Sequence, residues 1–224
     1  MRETALADGI RAADGAREAV RGFGAPHSSA SDEAPMDEID TARAQEYALL
    51  SALLMRAPDA ELLENLSTLR GDPSPLGIAH AALADAAAGT TADRVSREYF
   101  DLFIGLGRGE LLPYGSYYLT GFLHERPLAR LRAELARLGI ARQEGNIEPE
   151  DHVAILCEIM AGLVGGRFDA PTGTDREFFN KHMALWIGRF FADLEKAGSA
   201  DFYRRIGALG QVFINIETEA FTLP

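Results

Sequence analysis

Two short runs in this 224-residue chain concentrate side chains that could do chemistry. The first is Glu148-Pro149-Glu150-Asp151-His152, three carboxylates and an imidazole within five positions. Such a set suits proton transfer, metal ligation or the holding of a cationic group. The second is Leu111-Leu112-Pro113-Tyr114-Gly115-Ser116-Tyr117-Tyr118, dense in aromatics and kinked by proline. It suits apolar docking with a hydroxyl handle, or else a helix–helix corner whose tyrosines cover the core. A plainer reading of the first run is an ordinary helix start, with proline in the first turn and acids favoured by the helix dipole. That accounts for Glu150 and Asp151 but not for His152, whose charged form is unfavourable at that end.

Other candidate chemistry is weaker. Gly105-Leu106-Gly107-Arg108-Gly109 follows a helical pattern rather than a strand, and it lacks both the dinucleotide fingerprint and the Gly-Lys-Ser/Thr of a P-loop. A helix C-cap followed by a connection explains it. The five histidines form no His-x-x-x-His pair, and no Glu-x-x-His repeat of a di-iron bundle is present. No metal site is expected. There is no Gly-x-Ser-x-Gly elbow, and Cys157, the single cysteine, sits among Ile155, Leu156 and Ile159 as an inert core thiol. No catalytic residue is assigned, and the chain is read as a non-enzyme.

The elements that position these runs read as helices almost throughout. Asp37 caps a helix to about Arg56, and Asp59 starts a short one through Leu69. Ser74-Pro75 opens an Ala-rich helix ending at Gly89. Thr90 or Thr91 caps the next, with Val95, Tyr99, Leu102 and Leu106 at helical spacing. A glycine-rich loop over 105–115 follows; Ser116 restarts helix, and Pro127 opens another. The segment from Asn146 to Pro149 opens a helix through about Val164. Thr174 caps one long helix with Phe179, Met183, Trp186 and Phe190 on one face, and Ser199 caps the last. The fold expected is all-α, a single-domain bundle of about eight to ten helices over residues 37–224. Residues 1–36 are expected to be a flexible N-terminal tail and linker.

Lys and Arg number 22 against 34 Asp and Glu, a formal net charge of -12. That argues against nucleic acid and for cationic partners. The first twenty residues have no apolar h-region and no stretch approaches a membrane span, so a cytoplasmic location is expected. The lone cysteine excludes an intramolecular disulfide framework.

Three segments carry a resemblance. Tyr99-Phe100-Asp101-Leu102-Phe103, Pro113-Tyr114-Gly115-Ser116-Tyr117-Tyr118 and Glu148-Pro149-Glu150-Asp151-His152 are similar to the Y-x-x-L-F, P-Y-x-S-x-Y and E-P-x-D-H motifs of the TorD/DmsD family of molybdoenzyme maturation chaperones. The resemblance covers about residues 40–220. It implies a helical cytoplasmic chaperone that binds the twin-arginine signal peptide of a molybdenum-containing redox enzyme subunit and holds it for cofactor insertion. The residues it points to are Tyr99, Leu102, Phe103, Pro113, Tyr114, Ser116, Tyr118, Glu148, Pro149, Asp151 and His152. The stretch around residues 107–123 is most similar to the branch associated with formate dehydrogenases. The family also implies weak guanine nucleotide binding, which nothing else in the chain supports, and either a monomer or a domain-swapped dimer hinged near Gly145 or Gly165. No other cofactor is implied.

A twin-arginine peptide needs an acidic rim and an apolar groove. Glu148, Glu150 and Asp151 are expected to supply the first, and Tyr99, Leu102, Phe103, Tyr114 and Tyr118 the second. Two other readings compete: a small helical hydrolase or nucleotide-binding enzyme using Glu148, Asp151, His152 and the 105–109 loop, and a purely structural subunit of a complex.

Overall fold

Short polar side chains just ahead of the helical stretches start the first four helices. Asp37 accepts from the Ile39 N–H at 3.2 Å and opens α1 (Glu38–Met55). Asp59 accepts from Leu62 N–H at 2.9 Å ahead of α2 (Ala60–Ser67). Ser74 and Thr91 do the same for α3 (Pro75–Ala88) and α4 (Ala92–Tyr99). Each such cap satisfies one of the amide donors that a helix start leaves without an internal partner. The computed structural model describes residues 23–24, 37–142 and 147–222. The expected tail over 1–36, apart from the pair 23–24, and the hinge near Gly145 lie outside those residues.

The all-α expectation holds. Ten α-helices are present among the described residues, the others being α5 (Gly115–Thr120), α6 (Arg126–Arg137), α7 (Val153–Val164), α8 (Thr174–His182), α9 (Ile187–Lys196) and α10 (Phe202–Thr222). A wide π turn, Phe100–Ile104, extends α4. The described strands are two-residue segments, β1 (Phe23–Gly24) and β2 (Ala141–Arg142), paired antiparallel.

The α7 helix is apolar except for Glu158 and buried on nearly every face, so it forms the axis of the core. It packs along α1 and beside α8; α10 lies against α9 and α3. Between α9 and α10 the backbones approach so closely that a Cβ at Gly207 would overlap the Glu195 backbone, and one at Gly210 would overlap the Phe191 ring. One buried ionic cluster ties α1, α8 and α10 together. The Arg43 guanidinium donates to both Glu217 oxygens at 2.8 Å, and also to Asp40 and Asp175. The Tyr47 hydroxyl donates to the same Glu217 at 3.0 Å. Glu217 is 1% exposed, and this convergence of donors is what permits a carboxylate there.

Several expected boundaries move. The helix expected to open between Asn146 and Pro149 starts at Val153, because Pro149, Glu150 and Asp151 form a turn that ends in the cap residue His152. The expected long aromatic helix is two helices. Met183 and Ala184 both donate to the Phe179 carbonyl, and the Trp186 indole donates to the His182 carbonyl at 2.8 Å, which interrupts the regular ladder. Phe179, Met183, Trp186 and Phe190 are nonetheless all buried. Gly173 rather than Thr174 caps α8. Nor does Ser199 cap the last helix. The Glu98 carboxylate on α4 accepts from the N–H groups of Asp201, Phe202 and Tyr203 at 2.8, 3.1 and 2.6 Å. Leu106, expected on an apolar stripe, is 98% exposed, since the helix stops at Gly105 in a left-handed conformation. No described helix is long and apolar enough to cross a membrane.

Candidate functional site

The two chemistry-bearing runs meet. Tyr114 and His152 form an isolated antiparallel bridge. Around it, Gly115 N–H donates to the Asp151 carbonyl at 2.9 Å and Val153 N–H to the Pro113 carbonyl at 2.8 Å. The aromatic run therefore breaks helix for a packing reason: it pairs, strand-like, with the segment that starts α7. A Cβ at Gly115 would sit 3.2 Å from the Trp186 ring, a tight contact that glycine avoids.

Asp151 and His152 lock this junction from inside. Asp151 is 3% exposed, and its Oδ2 accepts from the Ser116 N–H at 2.7 Å, capping α5 from outside that helix. His152 is 4% exposed, and its Nδ1 accepts from the Ala154 N–H at 3.2 Å, capping α7. Burial pushes the His152 imidazole down to about 4, against the opposite pull of the Glu148 and Asp151 charges. A neutral ring with an accepting nitrogen suits a helix N-terminus, and that resolves why histidine stands at this end.

The outer layer is aromatic. The Tyr99 and Phe103 rings lie 5.0 Å apart, and the Tyr203 ring is 5.8 and 5.4 Å from them. The Tyr99 hydroxyl donates to the Met55 carbonyl at 3.0 Å, fixing it on the end of α1. The Tyr114 hydroxyl donates to Glu148 Oε2 at 2.6 Å, and its ring meets His152 edge-on at 5.1 Å. Burial, with the Glu148 charge, pushes Tyr99 up to about 12. Burial and the Glu148 hydrogen bond likewise raise Tyr114. The three motif runs thus converge on one surface.

Of the eleven residues named from sequence, Tyr99, Phe103, Tyr114, Glu148 and Pro149 are half-buried at this surface. Leu102, Pro113, Ser116, Tyr118, Asp151 and His152 are buried. The expected acidic rim is accordingly smaller. Asp151 is committed inside, and Glu150 receives both Nε and Nη2 of Arg132 at 2.8 Å. Glu148 is the member of the run that stands at the aromatic surface. Tyr118 faces away from it, donating to Asp193 at 3.1 Å beneath Arg189 and beside Trp186.

Sequence reasoning missed the brace beneath this surface. Glu110 accepts from Gly198 and Ser199 N–H at 2.6 and 3.0 Å, as Glu98 does for α10, so both ends of the α4–α5 connection are bonded to the turn before α10. No local signal marks acids that cap a helix a hundred positions away. The hydrolase reading finds no converging group. His152 Nδ1 and Asp151 Oδ2 are occupied by backbone N–H donors, and among the described residues no set of three or more His, Cys, Asp or Glu is placed to hold a metal. Burial raises the Cys157 thiol, an inert core position. Two open cavities, of about 350 and 370 Å³, lie elsewhere, beside α3.

Fold and site together define an all-helical protein whose motif residues knit helix ends beneath an aromatic shelf. A family model described as nitrate reductase delta subunit matches residues 70–192. The chain belongs to this family, in which the TorD and DmsD proteins fall. It is 26% identical over 135 residues to the chaperone protein TorD of Aliivibrio fischeri, covering 56% of this chain and 63% of that one. It is 31% identical over 117 residues to the probable Tat proofreading chaperone DmsD of Haemophilus influenzae, covering 51% and 56%. The match therefore spans less than two thirds of those relatives. The fold is similar to the crystal structure of a protein assigned to redox enzyme maturation from Archaeoglobus fulgidus, with TM-score 0.53 and 17% identity over 84% of this chain and 99% of that one.

Proposed function

We propose that this chain is a cytoplasmic maturation chaperone that binds the twin-arginine signal peptide of a molybdenum-containing redox enzyme subunit and holds it while cofactor is inserted. It acts by binding and not by catalysis. The observation that carries the reading is the half-exposed shelf of Tyr99, Phe103 and Tyr114 with the Glu148 carboxylate at its edge. Aromatic faces take the apolar stretch of such a peptide, and a partly sheltered carboxylate takes a guanidinium. Phe100 and Ile104, 39% and 54% exposed on the adjoining π turn, extend the apolar area. The client within this class is a formate dehydrogenase, on the similarity around residues 107–123.

Titrating the full chain with a synthetic peptide bearing paired arginines and an apolar stretch tests the reading. Saturable binding that weakens with added salt is expected, along with weaker binding of a version carrying alanines at the paired positions. Absence of saturable binding, or equal binding of the two peptides, overturns it.

A further inference from the structure

Large apolar side chains exposed singly are ordinary on a protein surface, but two in succession on a well-bonded turn are not. Phe122 and Leu123, between α5 and α6, are 69% and 40% exposed, and Leu119 just before them is exposed as well. The turn is held in place. Thr120 Oγ1 accepts from the Phe122 N–H at 3.2 Å and donates to the Ser116 carbonyl at 2.8 Å. Left-handed residues bracket the pair, Gly121 at φ 82° and His124 at φ 60°. A positive φ at a residue with a side chain costs conformational energy, yet the turn it makes leaves Phe122 and Leu123 in water rather than in the core.

Cations gather at this tip. Arg126 and Arg130 are one turn apart on the exposed face of α6, opposite the buried Leu128, Leu131 and Leu135. Arg108 donates to the Tyr117 hydroxyl at 2.9 Å and Arg189 to the Tyr118 carbonyl at 2.7 Å, so both stand against α5. Against these four arginines stand Glu125 and Asp193, and Asp193 is taken by the Tyr118 hydroxyl at 3.1 Å. In a chain with 22 Lys and Arg against 34 Asp and Glu, that local balance is the reverse of the whole. The carbonyls ending α5 favour a cation and so account for Arg189. They do not account for Arg126, in the first turn of α6, where the helix dipole disfavours positive charge.

We propose that the α5–α6 corner docks on an anionic lipid surface, with Phe122 and Leu123 entering the interfacial layer and the arginines meeting headgroup phosphates. Adjacent aromatic and aliphatic side chains ringed by cations match that layer, which is apolar at shallow depth and negative at its face. The acidity of the remaining chain does not prevent this. Screening over about 8 Å at physiological salt lets such a surface act mainly on the groups nearest to it. The proposal is independent of the signal-peptide reading, since neither Phe122 nor Leu123 belongs to the Tyr99, Tyr114 and Glu148 shelf.

Flotation of the full chain with lipid vesicles tests it. Saturable partition is expected onto phosphatidylcholine vesicles carrying about a third phosphatidylglycerol, weakening with added salt, and little onto phosphatidylcholine alone. Phe122→Ser with Leu123→Ser should weaken partition at least about tenfold. Arg126→Glu with Arg130→Glu should weaken it by about the same factor. A control pair on other helices, Ile39→Ser with Ile78→Ser, also removes exposed apolar groups and should partition as the wild type does. Equal partition onto the two vesicle types, or a Phe122→Ser, Leu123→Ser variant that behaves like the control pair, overturns the proposal. Loss with the arginine reversals alone would leave a charged patch suited to an acidic protein, and that also overturns the lipid assignment. Every variant should keep the wild-type affinity for the twin-arginine peptide. Loss of peptide binding in the Phe122→Ser, Leu123→Ser variant would put the tip in the peptide site and overturn a separate surface. A wild type that binds anionic vesicles and no peptide sinks the signal-peptide reading and supports this one.

Discussion

Asp151 and Glu148 are carboxylates three positions apart in one run, and the fold places them differently. Asp151 is 3% exposed and accepts from the Ser116 N–H. Glu148 is half-buried, with an oxygen on the Tyr114 hydroxyl. His152 sides with Asp151, and Pro149 with Glu148. The run is thus a latch on its C-terminal side and a binding edge on its N-terminal side. A motif whose members all matter for binding therefore need not touch the ligand with each of them. Residues that fix the entry of α5 and α7 set the shelf on which Tyr114 and Glu148 stand.

The contrast predicts that changes in the latch are read first in stability and changes at the edge in affinity. The largest effect is at His152. Its folded pKa is depressed to about 4 from the ordinary 6.5, so the unfolded state binds the proton first as pH falls. The stability it contributes is complete above about pH 6.5 and is lost as pH falls toward about 4, on the order of 3 kcal/mol in all. His152→Asn keeps an acceptor for the Ala154 N–H and removes the titration. Denaturant midpoints measured across that window should fall less steeply in this variant; an unchanged slope would remove His152 from the latch.

Next comes Asp151→Ala, which strips a buried N–H of a charged acceptor. It should cost roughly 1.5–3 kcal/mol, lowering Tm by about 2–4 °C per kcal/mol. Peptide affinity should fall in parallel, and Asp151→Asn should restore part of both. Glu148→Gln should lower affinity with little loss of stability. At a half-buried site the lost charge is worth about 1 kcal/mol of binding, about fivefold in affinity, between the exposed and sheltered limits. Its Tm should stay within about 2 °C of the wild type. A Glu148→Gln chain that melts as early as Asp151→Ala would erase the distinction between latch and edge. The smallest change is Tyr114→Phe, which removes one hydroxyl and should cost about 0.5–1.5 kcal/mol, read as a modest loss of peptide affinity with helicity unchanged.

Much of the helical framework was legible because its signals are local. Asp37, Asp59, Ser74 and Thr91 cap helices starting at the next residue, and a side chain that reaches an N–H two or three positions on can be read from sequence alone. The three motif runs were legible as runs, and so was the inertness of Cys157. What escaped was every bond between distant segments. At the Met183–Trp186 interruption the Trp186 ring lies beside Gly115 and Tyr118, a neighbourhood that no periodicity reveals.

The sequence by itself determined that the chain is helical, where most helices begin, and that three motif runs of one family occur in order. Only the tertiary structure decided which of the motif residues face outward. Asp151 reaches Ser116 across 35 positions, and Glu98 reaches Tyr203 across 105. A carboxylate's role is set by whether such a distant donor removes it from water, and that is a property of packing rather than of spacing.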